Sequence, residues 1–482
     1  MALREPGTHR HEHAFGRFNP LDPEGVVLRS RRNLLKASLA GMAGLSVTDL
    51  LQAREAAARA GKSSPGQKSV ILLWMTGGPS HIDMWDPKPD RPVENRGPFN
   101  TISTRMPGVR ICEHLPKMAA MLDQFTLIRS VDSRKSSHEP NTVMQTGHPD
   151  AEPRVNIHAR KYPALASVVA KQRGPNNPAL PPYVAFRRSD SHIAYAGYLG
   201  KQYDPFIGNQ AARLPVYSLV GENTGQMAGG DVFSFPAGLN AGRIRRRQTL
   251  RSAVDALRTS LDDNPEMEAL GTLEQKAVDL VLGEQAREAF DLTREPAAMR
   301  ERYGSHLWHQ QALLCRRLVE RGVNFVTLDL SYHTASGTWD SHGDDIPPYG
   351  GITTGLKPIL PLFDHLVTTL VSDLKERGLL DQTLVLCMGD FGRSPLMTQF
   401  DGRNHWTNVM SMALAGGGLR HAQVIGATEP DGGNIAERPV TPGDLAATIL
   451  RHFEVPVDVT YTDHTGRPVY VVQDGAPIHE LF

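Results

Sequence analysis

The chain alternates short apolar runs with segments of helical periodicity, and this alternation constrains its fold more than any other sequence feature. The apolar runs are of strand length and occupy residues 68–75, 125–131, 323–330 and 383–388. Apolar residues recur at three and four positions over residues 274–290, 305–321 and 360–377, as in amphipathic helices. Strands that alternate with helices build a mostly parallel sheet. The sequence therefore predicts a doubly wound α/β fold with helices on both faces of the sheet.

One region departs from this alternation. Residues 178–302 begin with a stretch rich in proline and glycine and continue as a strongly charged helical stretch. We expect them to be an insertion in a single α/β domain that extends over residues 61–482. The basic run at residues 243–247 is typical of a solvated helix face.

The first sixty residues have the features of an export signal. Arg31 and Arg32 precede a short apolar run rich in glycine and alanine, which ends near an A-x-A pattern at residues 58–60. This order resembles a twin-arginine signal peptide, and the run is shorter than the ~20 residues that a transmembrane helix needs. We expect residues 1–60 to be removed on export. The mature protein would then be periplasmic or extracellular, without a transmembrane segment.

Charge and cysteine content argue against two classes of protein. The 52 Lys and Arg residues balance 52 Asp and Glu residues, so nothing in the net charge favours binding to nucleic acid phosphates. The cysteines, Cys112, Cys315 and Cys387, lack the spacing of a disulfide framework or of a thiolate zinc site. We expect neither a nucleic acid partner nor a disulfide-rich fold.

Acidic and histidine side chains follow the ends of three predicted strands. They are His81, Asp83, Asp340, His342, Asp390 and His405. In an open α/β sheet, functional groups gather outside the carboxyl ends of the strands. Carboxylates and imidazoles are ligands for a divalent metal ion such as zinc, manganese or calcium. Each pair alone also fits a loop cap or a surface ion pair, but their recurrence favours a metal site.

Several segments together resemble a known family. They are GGPSHIDMWDPKP at residues 77–89, WDSH at 339–342, MGDFGR at 388–393, GRNHW at 402–406 and LAGGG at 414–418. The chain resembles domain-of-unknown-function family 1501, an exported, sulfatase-like bacterial family of the alkaline phosphatase superfamily. The resemblance covers most of residues 61–482. It implies an alkaline phosphatase-like sheet and a metal-dependent hydrolase of sulfate or phosphate esters, with a small molecule or a polymer as substrate.

The resemblance also implies roles for individual residues. Asp390 and His405 correspond to an Asp after a late strand and a His further downstream, and Asp340 and His342 to an earlier pair. The segment that holds the nucleophile in sulfatases corresponds to residues around Ser137. No cysteine lies there, which excludes the oxidised-cysteine mechanism. Ser137 is a candidate nucleophile or a helix cap, and His138 a candidate metal ligand or phosphate-binding residue.

The sequence departs from the superfamily at two positions. Phe391 stands where a His usually follows the late Asp, and Gly77 and Gly78 stand where the first strand usually supplies an acid. A site for two metal ions would therefore be short of ligands, and we expect one ion, or a site completed by His81 and Asp83. Arg393 could bind an oxyanion through its planar guanidinium, or form a structural salt bridge.

These observations leave three hypotheses of different kinds. The first is the exported metal-dependent ester hydrolase. The second is a non-catalytic binding protein of the cell envelope that keeps the fold, with or without one metal ion, and the missing acid and His favour it. The third, a metal-independent hydrolase with a Ser/His pair, is the weakest, because the sequence lacks the G-x-S-x-G nucleophile motif.

Overall fold

The computed structural model describes residues 67–136, 142–152, 156–218, 221–233, 283–331, 339–343 and 350–482, and the backbone of two short strands nearer the amino terminus. The chain divides into two units, Met1–Ser64 and Pro65–Phe482. In the first unit, β1 (His11–His13) pairs antiparallel with β2 (Gly16–Phe18). The rest of the predicted twin-arginine leader lies outside the described residues, so the leader stays a prediction.

The second unit contains the strands of the main fold. They are β3 (Ser69–Met75), β4 (Thr101–Ser103), β5 (Arg110–Cys112), β6 (Phe125–Val131), β7 (Tyr183–Phe186), β8 (Phe206–Ile207), β9 (Leu214–Tyr217), β10 (Asn223–Ala228), β11 (Phe325–Asp329), β12 (Thr383–Gly389), β13 (Gly392–Met397), β14 (Arg403–Trp406), β15 (Met410–Gly416), β16 (Gln423–Ile425), β17 (Ala427–Thr428), β18 (Ile435–Glu437), β19 (Thr460–Thr462) and β20 (Pro468–Tyr470).

The same unit contains the described α-helices. They are α1 (Val93–Arg96), α2 (Pro116–Ala120), α3 (Thr142–Thr146), α4 (Leu165–Arg173), α5 (Glu284–Phe290), α6 (Ala297–Tyr303), α7 (Leu307–Glu320), α8 (Lys357–Glu376) and α9 (Pro442–His452). A π-helical turn, Ile352–Leu356, leads into α8. Within the described part of the chain, none of the helices combines the length and the apolar composition that crossing a bilayer requires.

Eight strands form one central sheet, in the order β16-β6-β15-β12-β3-β11-β7-β8. Neighbouring strands run parallel except where β15 pairs antiparallel with β12 and with β6. All seven residues of β3 are buried, as expected of a strand covered on both faces. The loops after β3, β11 and β12 leave the sheet at the same edge, because these three strands are parallel.

Helices cover both faces of the sheet, and β3 shows how. Ile71, Leu73 and Met75 belong to a core that includes apolar residues of α7 and α8. Val70, Leu72 and Trp74 point the other way, into a core that includes residues of α4 and α9. The alternation follows from the two-residue repeat of a strand. The predicted doubly wound, mostly parallel α/β fold is confirmed.

The predicted central strands are confirmed as β3, β6, β11 and β12. The predicted insertion, residues 178–302, needs a correction, because β7 and β8 within it belong to the central sheet. With four and two residues, these strands are too short to show a pattern among the surrounding prolines and glycines. The rest of the insertion stays a prediction, and residues 234–282 lie outside the described residues.

Candidate metal centre

Two segments at the carboxyl edge of the sheet lie against each other. Residues 339–343 come after β11, and β13 and β14 form an antiparallel hairpin after β12. The backbone N–H of Arg403 in the hairpin donates to the carbonyl of Ser341 at 3.0 Å. Gly402 makes this approach possible, because a Cβ there would collide with the His342 carbonyl. The contact places the side chains of residues 340 and 342 beside the hairpin.

Asp340, His342 and His405 converge at this contact. Nε2 of His405 lies 3.1 Å from Oδ1 of Asp340, and Nε2 of His342 lies 3.4 Å from Oδ2. One ligand atom from each residue lies within 4.8 Å of the other two. Asp340 is buried, whereas the His405 side chain is 41% exposed, so the group opens to solvent through His405. Three protein ligands with an accessible side are typical of catalytic zinc sites.

Arg393 holds Asp340 from the interior. The arginine is fully buried, and its Nη2 donates to Oδ1 of Asp340 at 2.5 Å. Its Nε donates to the carbonyl of Gly78 at 2.8 Å, and Nη2 also donates to the carbonyl of Gly77. The side chain is thus enclosed by acceptors of the protein itself. These contacts favour the structural ion pair over the oxyanion clamp, the two roles that the sequence left open.

Asp390 lies at the end of β12 and is completely buried. Its Oδ2 accepts the N–H of Gly77 at 3.0 Å. Burial raises the pKa of Asp390 well above its usual range, and the nearby charge of Asp340 adds to the effect. The pKa of His342 is also raised, first by its hydrogen bond with Asp340.

The family of the chain can be assigned from its sequence. Residues 67–482 match the family described as "Protein of unknown function (DUF1501)". The chain belongs to the DUF1501 family. The predicted resemblance is therefore confirmed. No curated protein matches the chain.

This DUF1501 chain is similar to several solved structures at low sequence identity. One is Ps i-CgsB in complex with k-i-k-neocarrahexaose, at 12% identity and a TM-score of 0.39, covering 85% of this chain and 75% of that chain. Another is the PsFucS1 sulfatase from Pseudoalteromonas sp., at 13% identity and a TM-score of 0.36, covering 84% of this chain and 71% of that chain. A third is the phosphonate monoester hydrolase of Agrobacterium radiobacter, at 11% identity and a TM-score of 0.37, covering 86% of this chain and 77% of that chain. The fold of this chain is assigned from its own sheet order.

Two of the predicted ligands of this DUF1501 protein have other partners. Nε2 of His81 hydrogen-bonds the carbonyl of Gly432 at 2.8 Å, and burial lowers the pKa of His81. Oδ2 of Asp83 accepts a hydrogen bond from Nε of Arg403 at 2.6 Å and another from the hydroxyl of Ser80 at 2.5 Å. Among the described residues, His81, Asp83 and the remaining predicted ligand, Asp390, belong to no trio of potential ligands that could share a metal ion. The loop after β3 instead supports the hairpin that carries His405.

The predicted nucleophile segment cannot be placed. Ser137 and His138 lie outside the described residues, so their roles stay predictions. Phe391 is buried, and its ring centroid lies 5.2 Å from that of His405. It therefore packs beside the candidate metal centre.

Sequence reasoning missed a buried pair at the same edge of this DUF1501 fold. Nδ1 of His192 lies 2.8 Å from Oδ2 of Asp329, and both side chains are completely buried. Oδ1 of Asp329 accepts the Thr76 hydroxyl at 2.8 Å, so the pair contacts the end of β3. Asp329 ends a predicted strand, and the strand-end rule could have identified it. His192 lies within the predicted insertion, residues 178–302, which was not searched by the strand-end rule.

Proposed function

We propose that this DUF1501 protein is an exported, metal-dependent hydrolase of sulfate or phosphate esters. The observation that carries the proposal is the convergence of Asp340, His342 and His405 at the carboxyl edge of a doubly wound sheet. Two of the three donors are imidazole nitrogens, which suit zinc or manganese better than calcium, an ion that prefers oxygen ligands. The donors already meet within 4.8 Å, so a metal ion requires little rearrangement.

In this proposal, Asp340, His342 and His405 hold the metal ion. The ion would supply charge to neutralise the ester oxyanion and would lower the pKa of the attacking group. Arg393 keeps the Asp340 carboxylate in position through its hydrogen bond from the interior. Phe391 excludes water from one side of His405. Ser137 remains the proposed nucleophile and His138 a proposed contact to metal or phosphate.

The export route is part of the same proposal. Residues 1–60 would direct the protein through the twin-arginine pathway to the periplasm or beyond. We expect Arg31→Lys/Arg32→Lys to leave the full-length chain in the cytoplasm, while the wild-type chain is recovered outside it. A wild-type chain that is found only in the cytoplasm, with its first sixty residues intact, would contradict this route.

A binding protein without turnover is the second candidate, and one observation favours it. Asp340 already forms an ion pair with Arg393, so its charge is compensated without a metal ion. The loop that follows β3 begins with Gly77 and Gly78, which offer no ligand side chain. Such a protein would keep the fold at the cell envelope and bind a partner or ligand without hydrolysing it.

Elemental analysis combined with activity assays separates the two candidates. We expect the purified protein to contain about one zinc or manganese ion per chain, because the group provides three protein ligands and an open side. Asp340→Ala and His405→Ala should each lose the metal ion together with hydrolysis of aryl sulfates or aryl phosphates. His464→Ala, at an exposed position, serves as the control and should keep both. Protein that contains no metal ion and hydrolyses none of these esters would favour the binding protein.

A further inference from the structure

A cavity lined by polar and apolar residues lies at the carboxyl edge of the sheet, beside β7 and β11. It has a volume of about 150 Å³, and the residues that line it include Arg187, Arg188, Gln311, Asp329 and Ser331. One water molecule occupies ~30 Å³ of liquid, so the cavity has room for a sulfate-sized group. These five residues come from three places in the chain, which the fold brings together.

Three side chains that line this cavity, those of Arg187, Arg188 and Gln311, have a buried hydrogen-bonding atom without a partner among the described residues. Gln311 on α7 is only 4% exposed, and its Oε1 has no partner within the described part of the chain. Nε of Arg188 is likewise enclosed without a hydrogen bond to any described residue. Arg188 also forms no ion pair with a described acid, whereas Arg187 pairs with Asp190. A buried polar group without a partner is costly. The Nε–H of Arg188 would donate to an anionic oxygen, whereas Oε1 of Gln311 would accept a hydrogen bond from a hydroxyl of the same ligand.

The electrostatic character of the cavity favours an anion. Leu307, the first residue of the 14-residue helix α7, lines the cavity, and a helix amino terminus carries partial positive charge. The one acid in the lining, Asp329, is already compensated. Its oxygens accept the Thr76 hydroxyl, the backbone N–H of Arg188 and Nδ1 of His192, each at 2.8 Å. The Arg188 guanidinium is therefore the charge available to a ligand.

A short chain of contacts connects this cavity to the candidate metal centre. Asp329 accepts the hydroxyl of Thr76, and the next residue, Gly77, donates its N–H to Asp390. The carbonyl of Gly77 accepts a hydrogen bond from Arg393, which holds Asp340. Both places lie at the edge of the sheet where β3 and β11 end.

We propose that this cavity, defined by Arg188, Gln311 and Ser331, binds a second anionic group of the substrate. The inference rests on the proposed hydrolase function and narrows its substrate class to esters that carry at least two anionic groups. Arg188 supplies the charge, the Ser331 hydroxyl supplies a hydrogen bond, and the α7 terminus adds its dipole. Oε1 of Gln311 would accept a hydrogen bond from a neighbouring hydroxyl of the substrate. A sulfated, phosphorylated or carboxylated saccharide has the required chemistry.

Titration of inorganic sulfate into the full-length protein tests the cavity without any need for turnover. We expect wild-type protein and Asp340→Asn to bind sulfate alike at this cavity. Arg188→Gln should weaken binding about 10-fold or more, because it removes the only uncompensated charge. Gln311→Glu has nearly the same shape and should also weaken binding, because it adds a negative charge. Arg213→Gln is the matched control at an exposed position nearby and should bind sulfate as the wild type does.

Unchanged sulfate binding in both Arg188→Gln and Gln311→Glu would overturn the inference, as would wild-type protein that binds no sulfate. Melting temperatures close to that of the wild type would show that each variant is folded. The two variants change different chemistry, so a folding defect in one still leaves the other informative.

Enzyme kinetics test whether the cavity contributes to the selection of the substrate. We expect Arg188→Gln to raise KM about 10-fold for an aryl sulfate that carries a carboxylate, and to leave the uncharged analogue unchanged. Equal effects on both esters would contradict the assignment. If the wild type hydrolyses neither ester, the proposed hydrolase function fails, while the sulfate titration still decides whether the cavity binds anions.

Discussion

Gly78 shows how a single residue determines the packing behind the candidate metal centre. It has a φ of +84°, and a Cβ there would lie 2.9 Å from the ring of Phe391. Both the backbone and the ring therefore oppose any side chain. We expect Gly78→Ala to lower the free energy of unfolding by about 3 kcal/mol, from left-handed backbone strain and from overpacking. Urea denaturation provides the measurement.

Gly378 offers a matched control for this substitution. It also has a positive φ, +69°, but apart from its immediate chain neighbours no described residue has an atom within 4 Å of the position of a Cβ. Gly378→Ala should therefore lower the free energy of unfolding by only about 1 kcal/mol, the contribution of left-handed backbone strain. Equal losses in the two variants would mean that the contact with Phe391 imposes no constraint.

Arg393 is the second residue whose role can be tested directly. Arg393→Met leaves the Asp340 carboxylate and the Gly77 and Gly78 carbonyls without their buried donor. We expect the free energy of unfolding to fall by about 3 kcal/mol, because the substitution removes the positive charge that compensates the buried Asp340 carboxylate. Metal affinity should fall about 10-fold or more, since the residue orients a ligand from behind.

The exposed Arg213 is the control for Arg393. Arg213→Met should change stability by less than about 0.5 kcal/mol and leave metal affinity unchanged. If Arg393→Met instead keeps its metal affinity while losing stability, Arg393 supports the fold but does not position Asp340.

At the scale of elements, a buried arginine joins two helices on one face of the sheet. Arg316 of α7 is fully buried and donates to Asp373 of α8 at 2.8 Å and to Glu295 at 2.5 Å. We expect Arg316→Met to lower the free energy of unfolding by about 3 kcal/mol, because it leaves buried carboxylates with fewer partners. Thermal and urea unfolding can both measure the loss.

An exposed ion pair between neighbouring helices provides the comparison. Arg302 of α6 pairs with Glu376 of α8, and their side chains are 34% and 58% exposed. Arg302→Met should cost less than about 1 kcal/mol, because solvent screens the pair. Similar losses from Arg302→Met and Arg316→Met would show that burial does not determine the strength of these contacts.

The sequence predicts some elements better than others, for physical reasons. β3 and β12 are visible because a parallel strand covered on both faces needs an unbroken apolar run. β7 and β8 cannot be recognised in the sequence, because with four and two residues they are too short to establish a pattern.

Some features of the candidate site can likewise be predicted from the sequence, and others cannot. The strand-end rule correctly brings residues 340, 342 and 405 to one edge of the sheet. It cannot tell which acids at that edge lie beside the two histidines. Asp83 pairs with Arg403, 320 positions away, and this partner follows from the hairpin of β13 and β14. Local sequence carries no signal for such a contact.

At the scale of the whole molecule, buried histidines couple stability to pH. His452, at the end of α9, hydrogen-bonds the carbonyl of Ser69 at the start of β3, at 2.9 Å. His309 of α7 hydrogen-bonds the carbonyl of Leu362 in α8, at 3.0 Å. Burial lowers the pKa of each histidine from 6.5 to about 4. Nearby positive charges, Lys68 among them, contribute to the shift of His452.

These shifts predict loss of stability in acid. Between about pH 6.5 and pH 4 the unfolded chain binds protons that the folded chain excludes, so the free energy of unfolding rises with pH over this window. The stabilisation is fully present above pH 6.5 and is lost as the pH falls toward 4. Each histidine accounts for up to ~3 kcal/mol of the loss at pH 4. We therefore expect a folded protein at neutral pH that unfolds readily near pH 4.

Replacing one histidine isolates its share of this acid sensitivity. His452→Gln keeps a donor for the Ser69 carbonyl but cannot titrate, so its stability should fall less steeply than that of the wild type between pH 6.5 and pH 4. Carboxylates titrate alike in both proteins, and the difference between the two pH profiles therefore reports His452 alone. His464→Gln, at an exposed position, should reproduce the wild-type profile. Parallel profiles for His452→Gln and the wild type would mean that His452 is protonated within the folded core, with its positive charge stabilised by the surrounding carbonyls.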